Sequence, residues 1–154
     1  MAKKLIQFLD FESEYDFLVL GIFCAYRDYK ICFELNNVLE LSFEMQDDFE
    51  LQLEKKGSTG QFPIFLAENA DEEQYFVIGN KGNNGLFIPE LRQVDYFLLI
   101  RNQTRDNSTS ELIEKIKSIE IVSSVIEISP KELKSGEHFM YIEKKVEKPK
   151  YIHD

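Results

Sequence analysis

The apolar stretch Phe17 to Ala25 is nine residues long, and its length constrains this chain more than any other feature. A helix that crosses a bilayer needs roughly 20 apolar residues, so the stretch predicts a strand in a folded core. Phe17-Leu18-Val19-Leu20-Gly21-Ile22 carries no polar side chain. A strand apolar on both faces is one covered by helices on one side and by other chain on the other. Ahead of it, Leu5, Ile6, Phe8 and Leu9 predict a first strand, joined to it through Glu12 to Tyr15. The acids Asp10, Glu12 and Glu14 break the apolar region that a secretion signal requires. A cytoplasmic location with no membrane contact is therefore expected.

Further along, the period of the apolar residues switches between helix and strand. Ile31, Leu35, Val38 and Leu39 recur at helical spacing behind Asp28, which predicts a helix over 29–39 with Asp28 as its cap. Leu39, Leu41, Phe43 and Met45 alternate with polar residues, as do Phe49, Leu51 and Leu53, and predict a meander or hairpin with an acidic outer face. Segment 55–61, with its Gly, Ser and Thr residues, is expected to be a mobile loop. Phe62 to Leu66 and Tyr75 to Ile78 predict a second hairpin, Asn80 to Gly85 a flexible turn, and Tyr96 to Ile100 a buried strand. Glu111 to Ile119 predicts a second helix, and Val125, Ile126 and Ile128 another strand, with Phe139 to Ile142 as an alternative return strand. The fold class expected is α+β: a single domain over 1–143, an antiparallel-dominated sheet packed with about two helices, and a charged, flexible tail over 144–154.

Composition sets what such a domain can do. Of 154 residues 44% are hydrophobic, with thirteen Phe and seven Tyr, and a chain of this length buries about 70% of its unfolded surface without help from disulfides or a metal. Cys24 and Cys32 lack the spacing of a zinc site or a disulfide framework and read as reduced, buried thiols. Neither His138 nor His153 belongs to a nucleophile or metal pattern, so both are assigned to the surface. No cofactor and no metal is expected. Net charge is −10, which repels a phosphate backbone and makes direct nucleic-acid binding unlikely. The cations Lys144, Lys145, Lys148 and Lys150 are interleaved with acids and do not form a docking arm.

One segment stands out: Ile88-Pro89-Glu90-Leu91-Arg92-Gln93-Val94-Asp95-Tyr96. Pro89 removes a backbone donor and holds Ile88 extended. Glu90 can accept hydrogen bonds from amides exposed in the turn. Asp95 can satisfy amides of the incoming loop or pair with Arg92 or Arg101, and Tyr96 can anchor the join with its ring inside and its hydroxyl outward. Ile88, Pro89, Glu90, Val94, Asp95 and Tyr96 are the six named positions of the bacterial IPExxxVDY family, which the chain resembles. Asp16-Phe17, Gly21-Ile22, Asp28-Tyr29 and Leu35-Asn36 are similar to that family's amino-terminal half, and Leu133-Lys134-Ser135 more weakly to its ending. The resemblance implies no activity, cofactor or catalytic residue.

The motif is read as structural, and no residue is assigned as catalytic. A non-catalytic binding or adaptor module with a protein partner is the leading expectation, and Glu40, Glu44, Asp47, Asp48 and Glu50 form its possible partner face. A small carboxylate-based enzyme that uses Glu90 and Asp95 is the alternative. An accessory factor in RNA processing, contacting RNA through Tyr26, Arg27, Tyr29, Arg101 and Arg105, comes third. An exposed strand edge or aromatic patch would allow a homodimer.

Overall fold

The structure, a computed structural model, describes residues 17–53, 58–103 and 109–142. Its elements are β1 (Phe17–Phe23), α1 (Asp28–Leu39), β2 (Glu44–Met45), β3 (Phe49–Gln52), β4 (Thr59–Phe62), β5 (Ile64–Glu68), β6 (Gln74–Gly79), β7 (Lys81–Gly82), β8 (Gly85–Leu86), β9 (Tyr96–Arg101), α2 (Thr109–Lys117) and β10 (Ser124–Ile128). Short 3-10 turns occupy Pro89–Leu91 and Pro130–Glu132. The result is a single α+β domain with an antiparallel sheet, as expected. Among the described residues no helix is long and apolar enough to cross a membrane.

Six strands form the main sheet in the order β10-β1-β9-β6-β5-β2. The apolar strand β1 is interior, with Leu20 opposite Glu127 of β10 and Leu98 of β9. Because β9 and β10 both run antiparallel to β1, they are parallel to each other, and α2 is the crossover between them. Both faces of the sheet are covered. Leu20, Ile22, Leu98, Ile100 and Val77 point toward Ile31 and Leu35 of α1 and Ile116 of α2. The alternate residues Val19, Phe97, Leu99, Phe76 and Ile78 point toward Phe49, Phe62, Phe87 and Phe139. That second cover is the β3–β4 hairpin together with the chain around the motif and the carboxyl-terminal end of the described chain.

Several elements differ from the sequence reading. The stretch from Leu39 to Met45 does not pair with β3. Asn36 ends α1 by accepting the Glu40 and Leu41 amides on its carbonyl and the Phe43 amide on Oδ1. The alternating apolar pattern from Leu39 to Phe43 is thus used to leave the helix. Only Glu44–Met45 is extended, and it joins β5, whereas β3 pairs with β4. Phe62 consequently belongs to β4 rather than to the second hairpin, which comprises β5 and β6, and 59–61 of the expected loop is strand. Asp28 is the first residue of α1, and its carboxylate accepts the Tyr29 amide at 2.6 Å.

Residues 138–142 form a helical turn, not a return strand. Phe139 and Ile142, three apart, are both fully buried, which a helix allows on one face and a strand does not. His138 is half-buried rather than on the surface: its ring lies 5.6 Å from that of Phe87, and its Nδ1 is 2.8 Å from the Phe87 carbonyl. The expected first strand at Leu5 to Leu9, residues 104–108, His153 and the tail 144–154 lie outside the described residues.

Candidate functional site

The motif bend is organised from outside itself, by Asn80. This side chain is fully buried. Its Nδ2 donates to the carbonyls of Leu91 and Val94, each at 2.9 Å, and its Oδ1 accepts the Ile88 amide at 2.8 Å. Its own amide donates to the Asp95 carbonyl and its carbonyl accepts the Phe87 amide. One residue thereby satisfies main-chain groups at both ends of the bend, where a buried unpaired group would cost about 1–3 kcal/mol. The sequence places Asn80 in a flexible turn, because Asn80 to Gly85 is rich in Asn and Gly. Instead, β7 and β8 form a ladder beside it. Its burial comes from the meeting of β6 and the motif, which local composition does not encode.

Around this clamp, Pro89 opens the 3-10 turn while Ile88 and Val94 are sealed in the core. The two motif carboxylates point to different segments. Glu90 Oε2 accepts the Ser135 amide at 2.6 Å. Burial pushes the Glu90 pKa up, but the Ser135 amide and hydroxyl, its own amide and nearby His138 outweigh it and leave the carboxyl below its ordinary value. The turn that presents Ser135 is tight, since a Cβ at Gly136 would stand 1.9 Å from the Pro130 carbonyl oxygen. Asp95 Oδ2 accepts the Cys24 amide at 2.8 Å, and Oδ1 meets Lys81 Nζ at 3.3 Å. Asp95 thus pairs with Lys81, not with Arg92 or Arg101, because the register of β6 on β9 sets Gly79 opposite Tyr96 and so brings Lys81 beside Asp95.

Asp95 also faces a shallow hollow of about 500 Å³ lined in part by Cys24, Tyr26, Asp28, Lys81 and Tyr96. Glu90 is not among its lining residues. The Tyr96 hydroxyl donates to the Tyr26 carbonyl at 2.5 Å, and burial, with Asp28 next, raises its pKa. Cys24 and Cys32 are free and buried. Burial raises both thiols above their ordinary range, Cys32 to about 12, so both are neutral and weakly nucleophilic at physiological pH. No group of three His, Cys, Asp or Glu side chains is placed to hold a metal ion among the described residues.

The acidic residues do not share one sheet face. Glu40 is the left-handed cap of α1, Glu44 lies on β2 of the six-stranded sheet, and Glu50 lies on β3 of the small sheet, where it accepts from Gln61 Nε2 at 3.2 Å. All of Glu40, Glu44, Asp47, Asp48 and Glu50 are exposed. Among the described residues, Arg101 is not one of those that line the hollow beside Tyr26 and Arg27. Arg101, bonded to Gln74 at 3.1 Å, ends the strand that Tyr96 begins, roughly 17 Å along it from Tyr96 at strand rise, and Arg105 lies outside the described residues.

The chain matches no protein-family model and no curated protein.

Proposed function

We propose that the chain is a non-catalytic binding or adaptor module, a cytoplasmic member of the IPExxxVDY family, that docks a basic protein partner at the β2 edge of its sheet. The observation that carries this reading is Met45, 66% exposed on the outermost strand beside the exposed acids Glu44, Asp47 and Asp48. An exposed apolar side chain within a charged rim is the anatomy of a small interface. A net charge of −10 steers a basic partner toward it and disfavours nucleic acid. Main-chain amides engage both Glu90 and Asp95, which supports a clamp that stiffens the domain over acid-base chemistry.

The test is a photo-crosslinking residue placed at position 45 in growing cells. The expected result is a discrete cross-linked protein with a basic surface, lost when Glu44, Asp47 and Asp48 are all changed to Lys. Absence of any cross-link, together with turnover of a substrate by the purified chain, would overturn the reading in favour of the carboxylate enzyme.

A further inference from the structure

The two edges of the six-stranded sheet differ in length. At one, β2 has two residues. At the other, β10 has five and, among the described residues, pairs with β1 alone. Alternate main-chain amides and carbonyls of Ser124–Ile128 therefore face away from the sheet, which makes a template for one more strand. The side chains of this edge are apolar on one face. Ile126 and Ile128 both pack over Gly21, and Ile126 is still 37% exposed. On the opposite face Val125 is buried and Glu127 exposed.

Beside this edge lies a hollow of about 530 Å³, lined in part by Phe17, Val19, Glu127, Ile128 and Lys131. Phe17 begins the described residues, so the sequence ahead of it meets the fold at this hollow. That sequence holds one apolar run, Leu5-Ile6-Gln7-Phe8-Leu9, as long as β10, followed by Asp10, Glu12, Glu14 and Asp16.

We propose that the β10 edge is the docking site of segment 5–9 of this same chain, added to the sheet as a strand parallel to β10. Reach sets the direction. Val19 stands opposite Ile128, so Phe17 lies level with the carboxyl end of β10, and the strand position beyond β10 is two strand spacings from it, about 10 Å. A parallel segment ends at that level and leaves slack in residues 10–16. An antiparallel one would end beside Ser124, roughly 23 Å away, close to the roughly 27 Å that the chain from Leu9 to Phe17 can span. Face sets the register. Ile6 beside Ile126 and Phe8 beside Ile128 cover the exposed isoleucine and enter the hollow, while Gln7 falls beside Glu127 and donates to it. The acids of residues 10–16 then pass Lys131 at the mouth of the hollow, where their charge is complemented. A strand here closes the longer edge of the sheet and leaves β2 open. The proposal does not rest on partner docking at β2.

Disulfide trapping in the full chain tests it. Neighbouring strands set facing side chains within disulfide range, and Cys24 and Cys32 are buried and do not compete. Under oxidised glutathione, Ile6→Cys with Ile126→Cys should close an intramolecular disulfide in most molecules, identified by peptide mass. Ile6→Cys with Glu127→Cys, whose side chains take opposite faces, should stay largely reduced. Hydrogen exchange supplies a second readout. Both rows of β10 amides should be protected in the unaltered chain, and Ile6→Asp with Phe8→Asp should speed the outward row at least tenfold while β1 and β9 keep their protection. A matched pair that stays reduced, a mismatched pair that closes as fully, or an outward row that exchanges freely in the unaltered chain would each overturn the proposal.

Discussion

The two faces of the central sheet use the same kind of residue to opposite ends. On one face, Phe87 lies 5.4 to 5.8 Å, centre to centre, from Phe49, Phe62 and Phe139 and is fully buried. The edge-on geometry of these contacts adds to the area they bury. On the other face, the helices cover the sheet with aliphatic residues and leave Tyr29 and Phe33 of α1 in solvent. Aromatic content is therefore not a measure of core size in this chain. Where three elements from distant parts of the sequence converge, rings lock the fold; where one amphipathic helix suffices, rings are left in solvent.

The largest expected effect tests the locked face. Phe87→Ala should cost about 4 kcal/mol, seen as a fall of roughly 12 °C in melting temperature for a chain of this size. A loss below about 1 kcal/mol would break the contrast between the faces. Next comes the clamp under it. Asn80→Leu keeps the branched outline of the side chain but strands the Ile88 amide and the Val94 carbonyl, and should cost about 3 kcal/mol by chemical denaturation. If the motif bend kept its amide-exchange protection in that variant, Asn80 would not be what holds it.

Smaller effects sharpen the division of labour within the motif. Asp95→Ala should cost about 1–2 kcal/mol through the unpaired Cys24 amide, most of it recovered by Asn, which can still accept that bond while losing the exposed Lys81 pair. Glu90 is exposed, and its effect is best read as a pH dependence. Its folded pKa is depressed, so its contribution is complete above the ordinary carboxylate range and is lost as pH falls through the folded value. Glu90→Gln should therefore lower the melting temperature slightly at neutral pH and make no difference in strong acid. Smallest of all, Phe33→Ser should change monomer stability by less than about 0.5 kcal/mol. A cost comparable to that of Phe87→Ala would erase the distinction between a sealed and an exposed face.

Several elements are legible in local pattern alone. β1, β9 and the β5–β6 hairpin appear as uninterrupted or paired apolar runs, and both helices as apolar residues at helical spacing with polar entry residues. Each depends on neighbours within a few residues, where side-chain period dictates which face is buried. The motif, too, is visible as a bend because Pro89 and the apolar run from Tyr96 bound it on either side.

Tertiary contacts decided the rest. Glu44–Met45 and Phe49–Gln52 carry the same alternation as any hairpin, yet they join different sheets, because strand pairing is a choice among partners far apart in the chain. The partner of Glu90 is Ser135 and that of Asp95 is Lys81, neither of them the nearest opposite or complementary group in sequence. Asn80 reads as turn filler beside Asn83 and Asn84 until the burial of β6 against the motif removes its water and makes every one of its polar atoms answer to main chain. Hydrophobic period is a local property of a chain, whereas the satisfaction of a buried polar group is a property of the place where segments meet.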